Sequence, residues 1–500
     1  MSKVTIRKGM YELTEKPIDS SLWNKDLDPT TIDRRNWHKW NIIALWVGLS
    51  VCIPTYMLGS SLIGNGMNWW QAVITVLLGN LVVLIPLILI GHAGTKYGIP
   101  FPVFLRPCFG TQGARFASLL RAVVACGWFG IQTWIGGNAI YQLAVLIFPY
   151  FAHSFYLGSL IGLNVAQLSC FLLFWIVQMM IIHHGIEIIR KLAVFAAPLL
   201  ILFGVALIVW AWVSVGSFTK ILQASYTLSG TAHASIWKIF WPGLTSIVGF
   251  WSTLALNIPD FTRFARSQRD QAIGQFIGLP STMTLYAFIG IIVTSATVLL
   301  FGKAMWDPVI LLGQFKSPIV VMVSMFALGL ATICCNLTAN VVAPANDFTN
   351  LLPSKISFRT GCYITGVIGI LILPWKLIAS SQDYIFEWLL AYSAMLGAVG
   401  GIMLCDYYVL RKTKLNLHDL FQVDGEYTFY HGWNISAFIA MILAILPSIP
   451  GFLVTVGLIG SKVFPIWLID LYHYAWFISL GLAFVIYWLL RVVISYVCNK

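Results

Sequence analysis

Charge is what this sequence has least of. Asp, Glu, Lys and Arg make up 10% of its 500 residues, where soluble globular chains carry about 25%. A soluble protein of this length would bury a large core and still need a polar shell, which these few charges cannot build. Short-period alternation is also missing. The apolar residues, 59% of the chain, come in long blocks and not with a period of two or 3.6. That excludes a transmembrane β-barrel, whose strands alternate over about 10 residues. No charged start, short apolar run and small-residue cleavage site appears, so no signal peptide is expected. Glu12, Glu15, Asp19 and Asp33 in the polar stretch 1–38 argue against a mitochondrial transit sequence. The nine cysteines show no CxxC spacing and sit mostly inside apolar blocks, which reads as small apolar filling before disulfides or metal ligands. No HExxH, paired intramembrane carboxylates or Ser/His/Asp set is present, so an enzyme is not expected.

What is there is twelve apolar blocks, near 40–64, 69–92, 116–149, 156–182, 192–214, 236–260, 274–301, 318–343, 360–379, 384–410, 433–457 and 466–496. Eighteen or more apolar residues in a helix cross about 30 Å of hydrocarbon. The expected class is an all-α integral membrane protein with twelve transmembrane helices. The net charge of +12 invites a nucleic-acid reading, but its distribution argues otherwise. With both termini cytoplasmic, all but six of the 30 basic residues fall on the inner side, the exceptions being Lys220, Lys238, Lys303, Lys316, Lys376 and Lys462. That bias follows the positive-inside rule. It points to a multi-pass protein of the cell (plasma or inner) membrane with lipid as its surroundings and no nucleic acid as partner.

Two blocks carry an interruption. The first reads SVCIPTYMLGSS over 50–61, and the sixth reads GFWSTLALNIPDF over 249–261, followed by Arg263, Arg266 and Arg269. Both combine Gly, Ser and Thr with an Ile-Pro pair, and five crossings apart they run in opposite directions. That is the mark of an inverted repeat led by broken helices. Backbone groups freed at membrane depth cost several kcal/mol each unless a solute, ion or water satisfies them. Plain proline kinks are the competing reading. The arginines after Pro259 are an inner-face anchor.

Polar side chains inside the blocks are few. Trp128 and Gln132, in CGWFGIQTWIGGNAIYQL, lie four apart on one helix face. A buried amide beside an indole suits a flat ring bearing N–H and C=O groups, or else glues two helices together. Asn336 and Asn340 repeat the spacing in the eighth block.

Five segments in consistent order, GWFGIQTWIGG (127–137), GFWSTLALNIPDFTRFAR (249–266), NLTANVVAPANDF (336–348), GGIMLCDYYVLRK (400–412) and LNLHDLFQVDGEY (415–427), make the chain resemble the nucleobase:cation symporter-1 family. That family includes hydantoin, allantoin, uracil and cytosine transporters, and LNIPDFTRFAR looks closest to its uracil/allantoin branch. The resemblance implies a LeuT-type fold of five-plus-five inverted repeats, here 39–214 and 235–410, after a cytoplasmic tail over 1–38. A C-terminal segment over 411–500 would hold two extra helices. It also implies a planar substrate sandwiched between Trp128 and Trp251 and hydrogen-bonded by Gln132 and Asn340. Phe250 stands where the hydantoin-transporting relative has glycine, and Leu396 matches a leucine tied to selectivity.

The sodium site of that relative corresponds to carbonyls of Gly48, Val51 and Ala331 and to the side chains of Cys334 and Cys335, where the relative has serine and threonine. Thiols are poor ligands for a hard cation, so a proton-coupled or weakly coupled transporter is favoured over a sodium symporter. Asp260 with Arg263 three residues on, Glu387, and the loop-edge pair His183-His184 have structural readings first. The expected function is import of a small heterocycle by alternating access, with no cofactor and no obligate protein partner evident. An amino-acid transporter of the same fold and a membrane-embedded enzyme are the alternatives.

Overall fold

The computed structural model describes residues 4–7, 9–14, 21–184, 186–231 and 236–498. Glu15 and Asp19 of the tail, the expected repeat boundary at 235 and the side chain of Cys498 lie outside the described residues.

Helices dominate because apolar blocks in a membrane must satisfy their own backbone. Among the described residues, ten helices are long and apolar enough to cross a bilayer. In chain order they include spans two to five at Trp69–Tyr97, Gly113–Ile147, Val165–His184 and Ile186–Val215. Spans six and seven are Trp237–Asn257 and Gln268–Phe301, and span eight joins Pro318–Asn340 to Val342–Leu351. Span ten covers Asp383–Leu410, span eleven Ile435–Thr455 and span twelve Ile466–Val493. Span one is a broken pair, Lys39–Ser50 and Ile53–Gly64, bent by 60°. Span nine is the exception to the expected lengths: Phe358–Leu371 holds only 14 residues, about 21 Å of helix. Leu373, in the left-handed region at φ 54° before Pro374, ends it.

Packing partners expose the internal symmetry. Span one lies on span seven as span six lies on span two, and spans three and eight pack on each other. Spans one and five touch, as do six and ten; spans five and eight touch, as do ten and three. Counted round the first ten spans, so that ten is followed by one, a shift of five in each member of a pair yields its counterpart, which is the contact pattern of two inverted five-helix repeats. Span one approaches span seven with almost no gap. A Cβ on Gly59 would collide with the Ala287 carbonyl, and one on Gly290 with the Tyr56 carbonyl. The last two spans pack beside span ten, with span twelve its broadest neighbour.

The two expected interruptions differ. Span one breaks in mid-membrane: Val51 and Cys52 leave helical geometry, and Pro54 opens the second half. Span six does not break at its middle. It stays helical through Trp251, Ser252 and Thr253 to Asn257, and Ile258 is itself helical before the short turn Pro259–Thr262. Pro259 comes only at the end of the apolar run, so the break falls at the membrane edge.

Residues of the tail fold onto the face that carries the chain ends. Trp37 exchanges backbone hydrogen bonds with Phe264 and Arg266 at 2.9 and 3.0 Å. Arg35, almost wholly buried, donates to the carbonyls of Tyr11, Thr30, Thr95 and Lys96. Beside this strap, a cavity of about 880 Å³ opens among Trp37, Leu45, Asp260, Arg263, Thr338 and Asn346. The opposite half of the molecule is filled by aromatic rings instead.

Candidate functional site

Four helices meet at the centre, and each brings a different kind of group. Span three contributes Trp128 and Gln132, both buried, one turn apart on the inward face. Span six contributes Phe250, Trp251, Thr253 and Leu254; the break of span one contributes Leu49 and Cys52; span eight contributes Cys335, Ala339 and Asn340. These residues wall a small cavity of about 30 Å³. Five of the six expected substrate contacts are thus brought together: Trp128, Gln132, Phe250, Trp251 and Asn340. Leu396 is not among them. It is buried in span ten and does not line the cavity.

The rings interlock edge to face. Trp128 meets Phe250 at 4.9 Å, Phe250 meets Trp251 at 5.0 Å, and Trp251 meets Trp46 of span one at 5.1 Å. Such T-shaped pairs are favourable because a ring edge is positive and a face negative. Toward the face away from the tail, Trp128 touches Trp388 and Tyr384 of span ten, and Tyr384 stacks on Trp306. The Tyr384 hydroxyl donates to the Pro54 carbonyl at 3.3 Å, tying span ten across the second half of span one. Tyr384 and Trp388 sit on a π-helical turn, Asp383–Leu389, a geometry common at functional sites. On the tail side, Leu45 and Thr338 line the large cavity while Leu49 and Ala339 line the small one. The centre is therefore roofed by rings on one side and adjoined by a vestibule on the other.

The polar groups divide into those held and those left over. Asn336 donates to the Phe129 carbonyl at 3.0 Å and to Gln178 Oε1 at 2.8 Å, and accepts from Asn340 Nδ2 at 2.9 Å. Gln178 in turn donates to Thr133 Oγ1. This chain of buried amides fixes Asn340 on the cavity wall through one of its N–H bonds. Gln132 Oε1 has no hydrogen-bond partner, although the Cys335 thiol is its neighbour. Trp128 Nε1 and the Tyr392 hydroxyl are neighbours too, and neither reaches a partner. An unsatisfied buried polar atom costs about 1–3 kcal/mol, so these atoms mark a place kept for something else.

Sequence reasoning missed two residues. Asn80 of span two is fully buried and accepts from Trp251 Nε1 at 3.0 Å, which sets the indole's orientation. A lone Asn in a 29-residue helix gives no hint of its partner 171 positions away. Cys52 lies at the break itself, bonded to Thr55 Oγ1 at 3.3 Å and beside Cys335. Of the expected cation positions, Val51 sits at the break, Gly48 is half-buried one turn before it, and Ala331, Cys334 and Cys335 are buried on span eight. Asp260 does not pair with Arg263 as expected. Its carboxylate accepts from the Phe101 amide at 2.8 Å and from Asn257. Burial pushes its carboxyl up, partly offset by the Arg263 charge. His183 bonds Tyr363 on the exposed edge, and among the described residues no group of three or more His, Cys, Asp or Glu could hold a metal.

Residues 29–479 match the family model described as permease for cytosine/purines, uracil, thiamine and allantoin. The chain is 44% identical to the Purine-uracil permease NCS1 of Arabidopsis thaliana over 95% of its length and 79% of that protein's. It is 38% identical to the Allantoin permease of Bacillus subtilis (strain 168), covering 93% and 92% of the two chains. Its fold superposes on a nucleobase-cation-symport-1 family transporter in a closed conformation with bromovinylhydantoin bound. That match has a TM-score of 0.70 at 23% identity, over 95% of this chain and 97% of the other.

Proposed function

The chain belongs to the permease family for cytosine/purines, uracil, thiamine and allantoin, and on that premise we propose that it imports one small, planar, neutral nitrogen heterocycle by alternating access. It is a multi-pass membrane permease, not an enzyme. The observation that carries the substrate reading is Gln132, a buried mid-membrane amide whose Oε1 has no partner, on a wall shared with Trp128, Phe250, Trp251 and Asn340. A ring N–H satisfies Gln132 Oε1, and a second donor reaches the Asn340 carbonyl oxygen. The indoles of Trp128 and Trp251 cover the ring's faces, worth about 1 kcal/mol beyond burial. A solute lacking those donors leaves the acceptors unpaired, which is how such a site selects. The names of the relatives favour a uracil- or allantoin-like ring. An amino acid would need groups for two charged termini, and the cavity wall carries no ionisable carboxylate, lysine or arginine.

The repeats run over 39–214 and 235–410, with the tail over 1–38 and the segment 411–500 outside them. The face carrying the chain ends is cytoplasmic, by the basic bias, and the membrane is the cell membrane. The vestibule then opens inward. The coupling ion is a proton and not sodium, because Cys334 and Cys335 offer thiols where a hard cation needs oxygens.

The test is binding and uptake by purified, reconstituted protein with uracil, allantoin, hydantoin and purines. Trp128→Ala and Gln132→Ala are expected to lower affinity about 100-fold or more, near the cost of one or two unpaired buried groups, with thermal stability close to wild type. Unchanged affinity in both variants discards the site.

A further inference from the structure

The central cavity is only about 30 Å³, against about 880 Å³ for the one on the tail side, and the Phe250 ring stands in its wall. Phe250 projects its ring between the two indoles, 4.9 Å from Trp128 at 68° and 5.0 Å from Trp251 at 76°. The two indoles that should cover a planar solute are instead both in edge-type contact with one benzene ring. We propose that Phe250 is a ring-sized stopper that occupies the solute's slot when the site is unloaded and, once turned aside, limits how large a ring the slot accepts. The inference rests on the substrate site described above and assigns its size selection to one residue.

The surroundings say how the stopper moves. Span six is unbroken around Phe250, so no hinge lets its backbone swing. The preceding Gly249 is pressed against Ser393 and Leu389 of span ten, where a Cβ would collide, so the helix cannot shift sideways there. What remains is rotation about the side chain's own bonds, which in helices is restricted to two χ1 wells. Trp251 is held by Asn80 and Trp46, and Trp128 is wedged against Trp388, so neither indole makes room. Phe250 itself keeps 7% of its surface exposed against 1% for Trp251, and Leu254, one turn toward the tail face on the same wall, matches it at 7%. The ring thus keeps an open side on the wall it shares with Leu254. Turned aside, the ring still stands at the rim of the slot, where it meets substituents that project from a bound ring.

The experiment compares wild type, Phe250→Leu and Phe250→Ala in competition binding with two probe pairs: uracil with 5-bromovinyluracil, and hydantoin with 5-bromovinylhydantoin. Wild type is expected to prefer the unsubstituted member by about 10–200-fold, the range a fitted pocket gives for extra bulk. Phe250→Ala is expected to shrink that ratio by about 10-fold or more, with Phe250→Leu between. A merely structural role would weaken every probe alike and leave the ratio unchanged. A ratio constant within about twofold in both variants overturns the proposal, as does a wild type that binds both members equally. Loss of the unsubstituted ring in both folded variants also overturns it, since Phe250 would then be a required contact. Failure of the site itself reads differently: Trp128→Ala and Gln132→Ala would bind uracil or hydantoin as wild type does.

Discussion

Spans one and six occupy equivalent places in the two inverted repeats, yet they are built differently at the same depth. Span one gives up its helix in mid-membrane, at Val51 and Cys52, and turns by 60°. Span six keeps its helix and brings rings, Phe250 and Trp251, to that level. The prolines explain the difference. Pro54 is followed by ten more helical residues of span one, so its break is internal, whereas Pro259 leads at once into Asp260 and the arginines and ends span six at the edge. One repeat thus contributes freed backbone, suited to a cation, and the other contributes π-faces, suited to a planar solute. Trp46 and Trp251, in edge contact across the two spans, join the two specialisations.

Three changes break or sharpen that contrast. The largest effect is expected at the break of span one. Restoring hydroxyls with Cys334→Ser and Cys335→Thr supplies hard ligands, and sodium should then stimulate uptake by about 5–150-fold, a typical coupling factor. Wild-type uptake should ignore sodium replacement and collapse with a protonophore. Steep sodium dependence of the wild type in proteoliposomes would overturn the cysteine argument.

A smaller effect belongs to span six. Asn80→Ala removes the oxygen acceptor of the Trp251 indole and leaves its N–H on Met283 Sδ alone, a weak acceptor, at a cost of about 1 kcal/mol. Heterocycle affinity should fall about 10-fold while the preference between probe pairs is kept. Calorimetry on purified protein reads both, and an unchanged affinity removes Asn80 as a positioning residue.

The smallest concerns Asp307, beside the second half of span one near Tyr56. It accepts from the Val309 amide at 2.8 Å at the start of a short helix between spans seven and eight. Burial pushes its carboxyl up to about 6, well above the usual carboxylate range. A folded-state value above the unfolded one stabilises at low pH, so this contribution is complete below about 4 and lost as pH rises through about 6. Thermal unfolding between those pH values should show a downward slope that Asp307→Asn flattens. An identical slope in the variant assigns the effect elsewhere.

Much of this was legible in the residues. Long apolar blocks with almost no charge leave only a helical membrane protein, and GFWSTLALNIPDFTRFAR, with the other four segments, carried the family. Trp128 and Gln132 stood out as a pair on one helix face, while Trp251 and the cavity role of Asn340 came with the resemblance; all four line the central cavity. Leu396 was not legible, since nothing in an apolar helix marks which leucine faces a cavity. The unbroken middle of span six was misread because proline tells of a break but its depth depends on where the membrane ends.

By itself the sequence determined the medium and the architecture: desolvating backbone in lipid is so costly that an uncharged chain of this pattern must form spanning helices. Only the tertiary structure decided that Phe250 lies between the indoles, that Asn80 orients Trp251, and that rings roof one side while a vestibule opens on the other. Those facts depend on contacts between residues more than a hundred positions apart, set by helix rotation and close packing, which periodicity along one chain does not specify.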